Sequence, residues 1–193
     1  NTPLVSHSYP DYSPIVGYSK NAHFADILIP TYADWRDVTG KVYPTGCADT
    51  NVGQISTRWE EKKPVAVFRG SATGCGTTPE TNQRIRLAQL AKELDAPFLD
   101  AGLVGTNKRD KKVEGEGVSY FRHKDYNLNE AARIPMNVQS GYKYIIHVDG
   151  HVSAYRLGKE LSLGSCILKV DSLHDYALWF SDKMVAYDPE AHN

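Results

Sequence analysis

The sequence predicts an α/β domain built on a parallel sheet. Apolar, strand-like runs at 65–69 and 142–148 are each followed by a turn and then by a helical pattern of apolar residues. Further strand-like runs lie at 98–103 and 166–170. Strands that alternate with helices in this way are typical of a Rossmann-like parallel sheet with helices packed on its faces.

The first helix of this pattern follows the run at 65–69 and a loop of small residues. We predict that it begins near Thr77 or Thr78, because Pro79 suits a first helical position and Glu80 would complete a capping box with Thr77. Apolar residues then recur at helical spacing and predict one stripe packed against the sheet: Leu87, Leu90, Ala91 and Leu94.

The second helix is predicted over residues 153–163, with Ser153 as its cap and Arg156 in its first turn. Gly164 is a suitable stop, and a last helix is predicted over 173–180. Three apolar residues are expected to share the buried face of the second helix: Ala154, Leu157 and Leu161.

The regular pattern starts late in the chain, which divides it into two parts. Residues 1–60, with loops around a short strand near 24–30, are interpreted as a different, incomplete unit. Residues 61–193 are interpreted as the Rossmann-like domain, with a loop-rich excursion over 104–135.

The chain starts with Asn and ends soon after an aromatic stretch with no predicted terminating helix, so we expect it to be a fragment of a longer polypeptide.

Composition argues against several classes of function. The 193 residues carry a net charge of −1, which gives no broad electrostatic footprint for nucleic acid. No apolar run approaches the roughly 20 residues of a membrane span. The three cysteines lack metal-site spacing, and no Asp-x-Asp pair occurs. His147 and His151 have no third ligand in the pattern, so we interpret them as structural histidines.

Two turns between a strand and a helix carry the candidate chemistry. The loop 69–76 is rich in small residues and follows Arg69, which predicts an anion site between a strand end and a helix start. It matches neither a P-loop nor a dinucleotide fingerprint. Arg156 would oppose the dipole of the second helix unless an anion binds there, which favours a diphosphate.

The blocks 24–35, 66–71 and 143–156 resemble the successive signature blocks of glycosyltransferase family 90, with further agreement at 43–46 and 81–84. That family includes protein O-glucosyltransferases, capsule-associated xylosyltransferases, lipopolysaccharide-modifying members and many viral proteins. The blocks occur in the family's order and cover nearly the whole chain.

This resemblance implies the nucleotide-sugar-binding half of a GT-B glycosyltransferase, with residues 1–60 as a partial acceptor-side or linking region. It also implies metal-independent transfer of glucose, xylose or a related sugar from a UDP-sugar to a hydroxyl of a protein or glycan acceptor. No cofactor, metal or nucleic-acid partner is expected. Carried over by position, the residues expected to contact the UDP-sugar are Arg69, Gly70, Ser71, Arg84, Ser153, Tyr155, Arg156 and Lys169.

Two departures from the family pattern leave alternatives open. The Arg-Asp-aromatic-Pro motif that holds the catalytic base is absent, and Asp11, the nearest carboxylate in order, stands in a different context. Ala72 stands where the O-glucosyltransferases have an arginine. The base is therefore expected upstream of Asn1, or the chain is a non-catalytic nucleotide- or glycan-binding remnant. A hydrolase would need a nucleophile or metal cluster that the pattern lacks. The compartment stays unknown, although a secretory-pathway lumen and a virus-infected cell both fit the family.

Overall fold

The computed structural model describes residues 15–39, 57–107, 115, 117–171 and 176–185, with the backbone alone for 36–39. Within these ranges the largest element is a four-stranded sheet in which all pairs are parallel. Helices alternate with its strands along the chain. The predicted α/β, Rossmann-like fold class is therefore confirmed.

The described chain opens with a small unit outside this sheet. Strands β1 (Val16–Gly17) and β2 (Ile27–Leu28) pair in parallel, and helix α1 (Tyr32–Thr39) follows. The short strand was predicted, whereas α1 was not. Its start is fixed by a reciprocal cap, in which the Asp34 amide donates to Thr31 Oγ1 at 3.2 Å and the Thr31 amide donates to Asp34 Oδ2 at 3.1 Å.

The main sheet contains β3 (Lys63–Gly70), β4 (Leu99–Leu103), β5 (Tyr142–His147) and β6 (Cys166–Lys169), in the order β4-β3-β5-β6. The chain passes from β3 outward to β4 and then returns to the other side of β3 to form β5. The carboxyl ends of β3 and β5 therefore flank a topological switch point, where ligands of open α/β sheets bind.

The core consists of two apolar clusters, one on each face of the sheet, because side chains alternate between the faces along each strand. Phe68 and Ile146 belong to one cluster, and the preceding residues Val67 and Ile145 belong to the other. Successive strand residues point to opposite faces, so both faces of the two central strands are covered. The runs at 65–69 and 142–148 read as continuous apolar segments for this reason.

Helix α2 (Gln83–Leu94) starts later than the sequence predicts. Asn82 caps it by accepting from the Arg84 and Ile85 amides, whereas residues 77–81 form turns. The predicted apolar stripe is only partly right: Leu87 packs against the core, but the buried positions of α2 are Arg84, Ile85 and Ala88, and Leu94 is 51% exposed. A strong local cap outweighs the weaker Thr-Pro-Glu pattern before it.

The remaining helices are short. Helix α3 (Met136–Gln139) has one turn, and α4 (Leu157–Leu161) has five residues rather than the eleven of the predicted range 153–163. Leu161 is exposed, and Glu160 takes the buried place instead. Residues 176–180 form a turn and a bridge from Ala177 to Lys20, which contradicts the predicted helix there; positions 173–175 of that helix lie outside the described residues.

The first part of the chain touches the second at several points. Tyr18 packs edge-on against Tyr155 with ring centroids 5.7 Å apart, and Trp179 donates to Asp34 Oδ2 at 3.0 Å. The division at residue 60 stays a prediction. Among the helices of the described ranges, none has the length and apolar character that crossing a membrane requires.

Candidate functional site

A cavity of about 530 Å³ lies at the switch point, against the carboxyl ends of β3 and β5. Residues from loops after both strands line it, together with residues 31–33 at the start of α1 and residues 133–136 before and within α3. No Asp or Glu of the described ranges belongs to the lining. The wall contains five basic residues: Arg69, Arg84, Arg133, Arg156 and Lys159. The cavity therefore suits an anion.

The structure brings together most of the residues expected to contact a ligand. Six of the eight line the cavity: Arg69, Gly70, Ser71, Arg84, Tyr155 and Arg156. Ser153 and Lys169 do not belong to the lining. Ser153 is buried and its Oγ has no hydrogen-bond partner among the described residues, and Lys169 is exposed at the end of β6.

Arg84 joins the two loops that form the floor of the cavity. Its side chain donates to the carbonyl of Ser71 and the hydroxyl of Thr73 after β3, and to the carbonyls of Val148 and Asp149 after β5. Burial, and then the charge of Arg156, lower the pKa of Arg84 to about 10, so it remains a cation at neutral pH. Arg84 thus fixes the shape of the site as well as its charge.

Arg69 is held by the protein on the β4 side of the cavity. It donates to the carbonyl of Asp100 at 3.0 Å and to its carboxylate at 2.7 Å, and further to the carbonyls of Phe68 and Ala132. Four of its five N–H groups are engaged in these bonds. Arg69 therefore contributes positive potential to the wall, with little hydrogen-bonding capacity left for a ligand.

Arg156 has more capacity left. Its Nη1 donates to the carbonyl of Arg69 at 2.6 Å, and its Nε lies 2.8 Å from the Glu160 carboxylate. No hydrogen bond to a described residue uses Nη2. The guanidinium carbon also lies 5.5 Å from the centre of the Phe68 ring, which Arg84 approaches to 5.9 Å. Of Arg69, Arg84 and Arg156, Arg156 thus has the most hydrogen-bonding capacity left for an anion.

Two sequence arguments for the anion site do not hold in the structure. The first amides of α2 are capped by Asn82, so that helix end is already satisfied. Helix α4 has five residues, and Arg156 lies at its cap position with Glu160 as its partner, so the dipole argument for Arg156 is lost. The basic residues of the cavity wall are instead the evidence for an anion site.

Sequence analysis missed two of the five basic residues. Lys159 lies three positions after Arg156, a spacing that places both side chains on one side of a helical turn and would have indicated it. Arg133 lies in the irregular stretch 104–135, where no periodic pattern indicates which residues face a site.

A buried group of ionisable residues lies behind Arg156. His147 Nδ1 is 2.5 Å from Glu160 Oε2, and His147 Nε2 is 3.4 Å from Asp149 Oδ1. Burial alone would lower the pKa of His147, but the two carboxylates outweigh it and raise that pKa above its ordinary value. Burial likewise opposes the charge of Asp149, yet His147, the Ala154 amide and the charge of Lys169 lower its pKa.

The described residues around the cavity supply neither a metal site nor an assigned catalytic base. Within the described ranges, no group of three or more His, Cys, Asp or Glu side chains is placed to hold a metal ion. Asp11 lies outside the described residues, as does the 43–46 block. Ala72, the position at which the resemblance implies an arginine in the O-glucosyltransferases, is fully buried, and its amide donates to the Gly105 carbonyl.

Comparison with known families places this geometry in context. Residues 2–189 match the profile described as Glycosyl transferase family 90. The chain belongs to glycosyl transferase family 90. The family 90 blocks singled out in the sequence meet at the cavity, because segments 24–35, 66–71 and 143–156 each contribute residues to its wall.

The relatives within family 90 include viral and animal proteins. The chain is 40% identical over 179 residues to the uncharacterized protein 035R of Invertebrate iridescent virus 3, an alignment that covers 88% of this chain and 15% of the relative. It is 35% identical to the uncharacterized protein 027R of Frog virus 3, over 80% of this chain and 17% of the relative. It is 29% identical to human Protein O-glucosyltransferase 3, over 84% of this chain and 28% of the relative. The chain thus spans less than a third of the length of each.

Gly70 is the last residue of β3 and lines the cavity, and we expect that it cannot accept a side chain. A Cβ there would lie 2.8 Å from Phe68 Cζ and 3.3 Å from Arg84 Nη1. We expect Gly70→Ala to lower the free energy of unfolding by roughly 1–3 kcal/mol, measured by urea denaturation. Gly117→Ala is the control, since a Cβ there meets nothing within 4 Å; an equal loss in both variants would contradict this account of Gly70.

Proposed function

We propose that the chain forms the donor-binding part of a glycosyltransferase that moves glucose, xylose or a related sugar from a UDP-sugar to a hydroxyl of a protein or glycan. The observation that carries the proposal is the cavity wall, with five basic residues and no described carboxylate, at the switch point of a family 90 sheet. A nucleoside diphosphate sugar needs such neutralisation at its diphosphate.

The chemistry follows from where charge develops. A general base removes the proton of the acceptor hydroxyl, the hydroxyl oxygen attacks the anomeric carbon, and the bond from that carbon to the diphosphate oxygen breaks. The bonding electrons leave with UDP, so negative charge grows on the diphosphate. Arg156, supported by Arg84 and Arg69, would stabilise that charge in a preorganised site. The base stays unassigned among the described residues.

Metal independence belongs to the proposal, because the arginines supply the positive charge that a metal would otherwise supply. We expect the 193-residue chain to bind UDP, and calorimetry with excess EDTA should give the same dissociation constant as calorimetry with added Mg²⁺ or Mn²⁺. Loss of UDP binding on chelation would contradict metal independence, and absence of binding under all these conditions would contradict the donor site itself.

The alternative of a non-catalytic remnant is favoured by one observation, the lack of an Arg-Asp-aromatic-Pro motif in this sequence. Incubation with UDP-glucose or UDP-xylose and an acceptor peptide or glycan separates the two. Release of UDP that depends on the acceptor supports the enzyme. Binding of UDP without acceptor-dependent release, in a chain extended to the full length of its polypeptide, supports the remnant.

A further inference from the structure

A buried carboxylate connects the cavity arginine to the histidine behind it. Glu160 is fully buried on α4, and its two oxygens face two different cationic or ionisable groups. Oε1 lies 2.8 Å from Arg156 Nε, and Oε2 lies 2.5 Å from His147 Nδ1. His147 itself is fully buried at the end of β5. The contact with Arg156 is an ion pair without hydrogen-bond geometry. The Arg156 guanidinium thus lies against a carboxylate that His147 also contacts.

We propose that His147 is a positioning residue, which acts through Glu160 to set the place of Arg156 and the charge behind it, so that anion binding in the cavity is coupled to protonation of His147. This inference rests on the proposed function, because it concerns the diphosphate of a UDP-sugar in the same cavity. His147 is not part of the cavity lining, so it acts without touching the ligand.

The charges around His147 explain the coupling. The carboxylates of Asp149, on the loop after β5, and Glu160, on α4, balance the guanidinium groups of Arg84, on α2, and Arg156, at the start of α4. Lys169 lies opposite His147 in the neighbouring strand β6. Its charge lowers the pKa of Asp149, and it is not one of the four groups whose charges balance. With His147 neutral, the two arginines and two carboxylates cancel. With His147 protonated, the group carries one more positive charge behind the cavity wall.

The sign of the pH dependence follows from this balance. The fold raises the pKa of His147, so the protonated form is the one that the folded chain favours, and its stabilisation is lost as the pH rises through that raised pKa. A bound anion favours the same form. Affinity for the anion should therefore fall as the pH rises through the pKa of His147, and binding should take up a proton there.

The expected change in anion affinity is the effect of one unit charge on His147 acting through part of the protein. At an effective dielectric constant of about 20 and a separation of roughly 8–10 Å, losing one positive charge weakens anion binding on the order of tenfold. If His147 served only as a hydrogen-bond partner of Glu160, it would stabilise the fold, and the affinity for the anion would not depend on its protonation. The pH profile of binding distinguishes the two roles.

UDP-glucose is the probe for the experiment, because UDP has a terminal phosphate that itself titrates near pH 6. Its dissociation constant is measured by calorimetry from about pH 6 to about pH 8.5, with excess EDTA. For the unsubstituted chain we expect affinity to weaken roughly tenfold over this range. His147→Asn should flatten the profile, whereas the control His151→Asn, which changes a histidine outside the Glu160 group, should retain it.

A second measurement needs no variant and covers the case in which His147→Asn fails to fold. Calorimetry of the unsubstituted chain at several pH values from about pH 6 to about pH 8.5, each in two buffers of different ionisation enthalpy, should show uptake of up to about one proton on binding UDP-glucose. Zero uptake, a flat profile of the unsubstituted chain, or a slope that survives in folded His147→Asn would overturn the role of His147. Absence of UDP-glucose binding at every pH would instead overturn the proposed function.

Discussion

Replacing Arg84 by Met is expected to lower the free energy of unfolding by roughly 3–5 kcal/mol. The substitution removes the donors to the carbonyls of Ser71, Val148 and Asp149, and an apolar side chain offers these acceptors no donor in return. It also leaves the two loops of the cavity floor unjoined, so UDP binding should be lost together with stability. Urea denaturation and calorimetry measure the two effects.

Arg86→Met is the matched control on the same helix. Arg86 is exposed, and its ion pair with Glu93 at 3.3 Å lies in solvent. We expect a change in the free energy of unfolding within roughly 0.5 kcal/mol and unchanged UDP binding. If Arg84→Met were as mild as the control, the loops would not depend on Arg84, and its assignment as the link between them would be wrong.

Replacing Arg156 by Ala is expected to weaken UDP-glucose binding roughly tenfold to a hundredfold, which corresponds to a charge-assisted contact of about 1.5–3 kcal/mol. The physical reason is loss of the guanidinium whose Nη2 is not used by a described residue. The same variant should also unfold more easily, because Glu160 loses the partner of its Oε1. Arg156→Lys should restore part of the affinity, since an ammonium keeps the charge and lacks the planar fork.

The control for Arg156 is Arg58→Ala, which removes another arginine that pairs with a glutamate. Arg58 lies 2.7 Å from Glu61, but both side chains are largely exposed and neither lines the cavity. Neither binding nor stability should change measurably. Unchanged UDP-glucose affinity in Arg156→Ala, with reduced stability alone, would show that Arg156 serves Glu160 and not a ligand.

The strands and their parallel arrangement could be predicted from the sequence, because buried strands appear as continuous apolar runs that need no knowledge of distant residues. The starts of the helices were harder. The cap of α2 was missed because Asn82 is held in place by the loop before it, where its side chain donates to the carbonyls of Thr73 and Gly76. Helix α1 was missed although Thr31 and Asp34 stand at capping-box spacing.

The location of the candidate site could be predicted from the sequence, but only part of its internal contacts could. A strand end followed by small residues indicates the carboxyl edge, and Arg69 and Arg156 could be found there from sequence order alone. The hydrogen bonds of Arg84 to both loops could not, because its partners lie up to 65 residues away along the chain. The pairing of His147 with Glu160 likewise depends on where the fold places α4 relative to the end of β5.

A structure of the chain bound to UDP-glucose tests most directly whether the basic cavity is the donor site. The diphosphate should lie in the cavity between the ends of β3 and β5, with an oxygen within hydrogen-bond distance of the Arg156 guanidinium. A nucleotide bound outside this cavity, or a diphosphate in it that makes no contact with Arg156, would contradict the assignment.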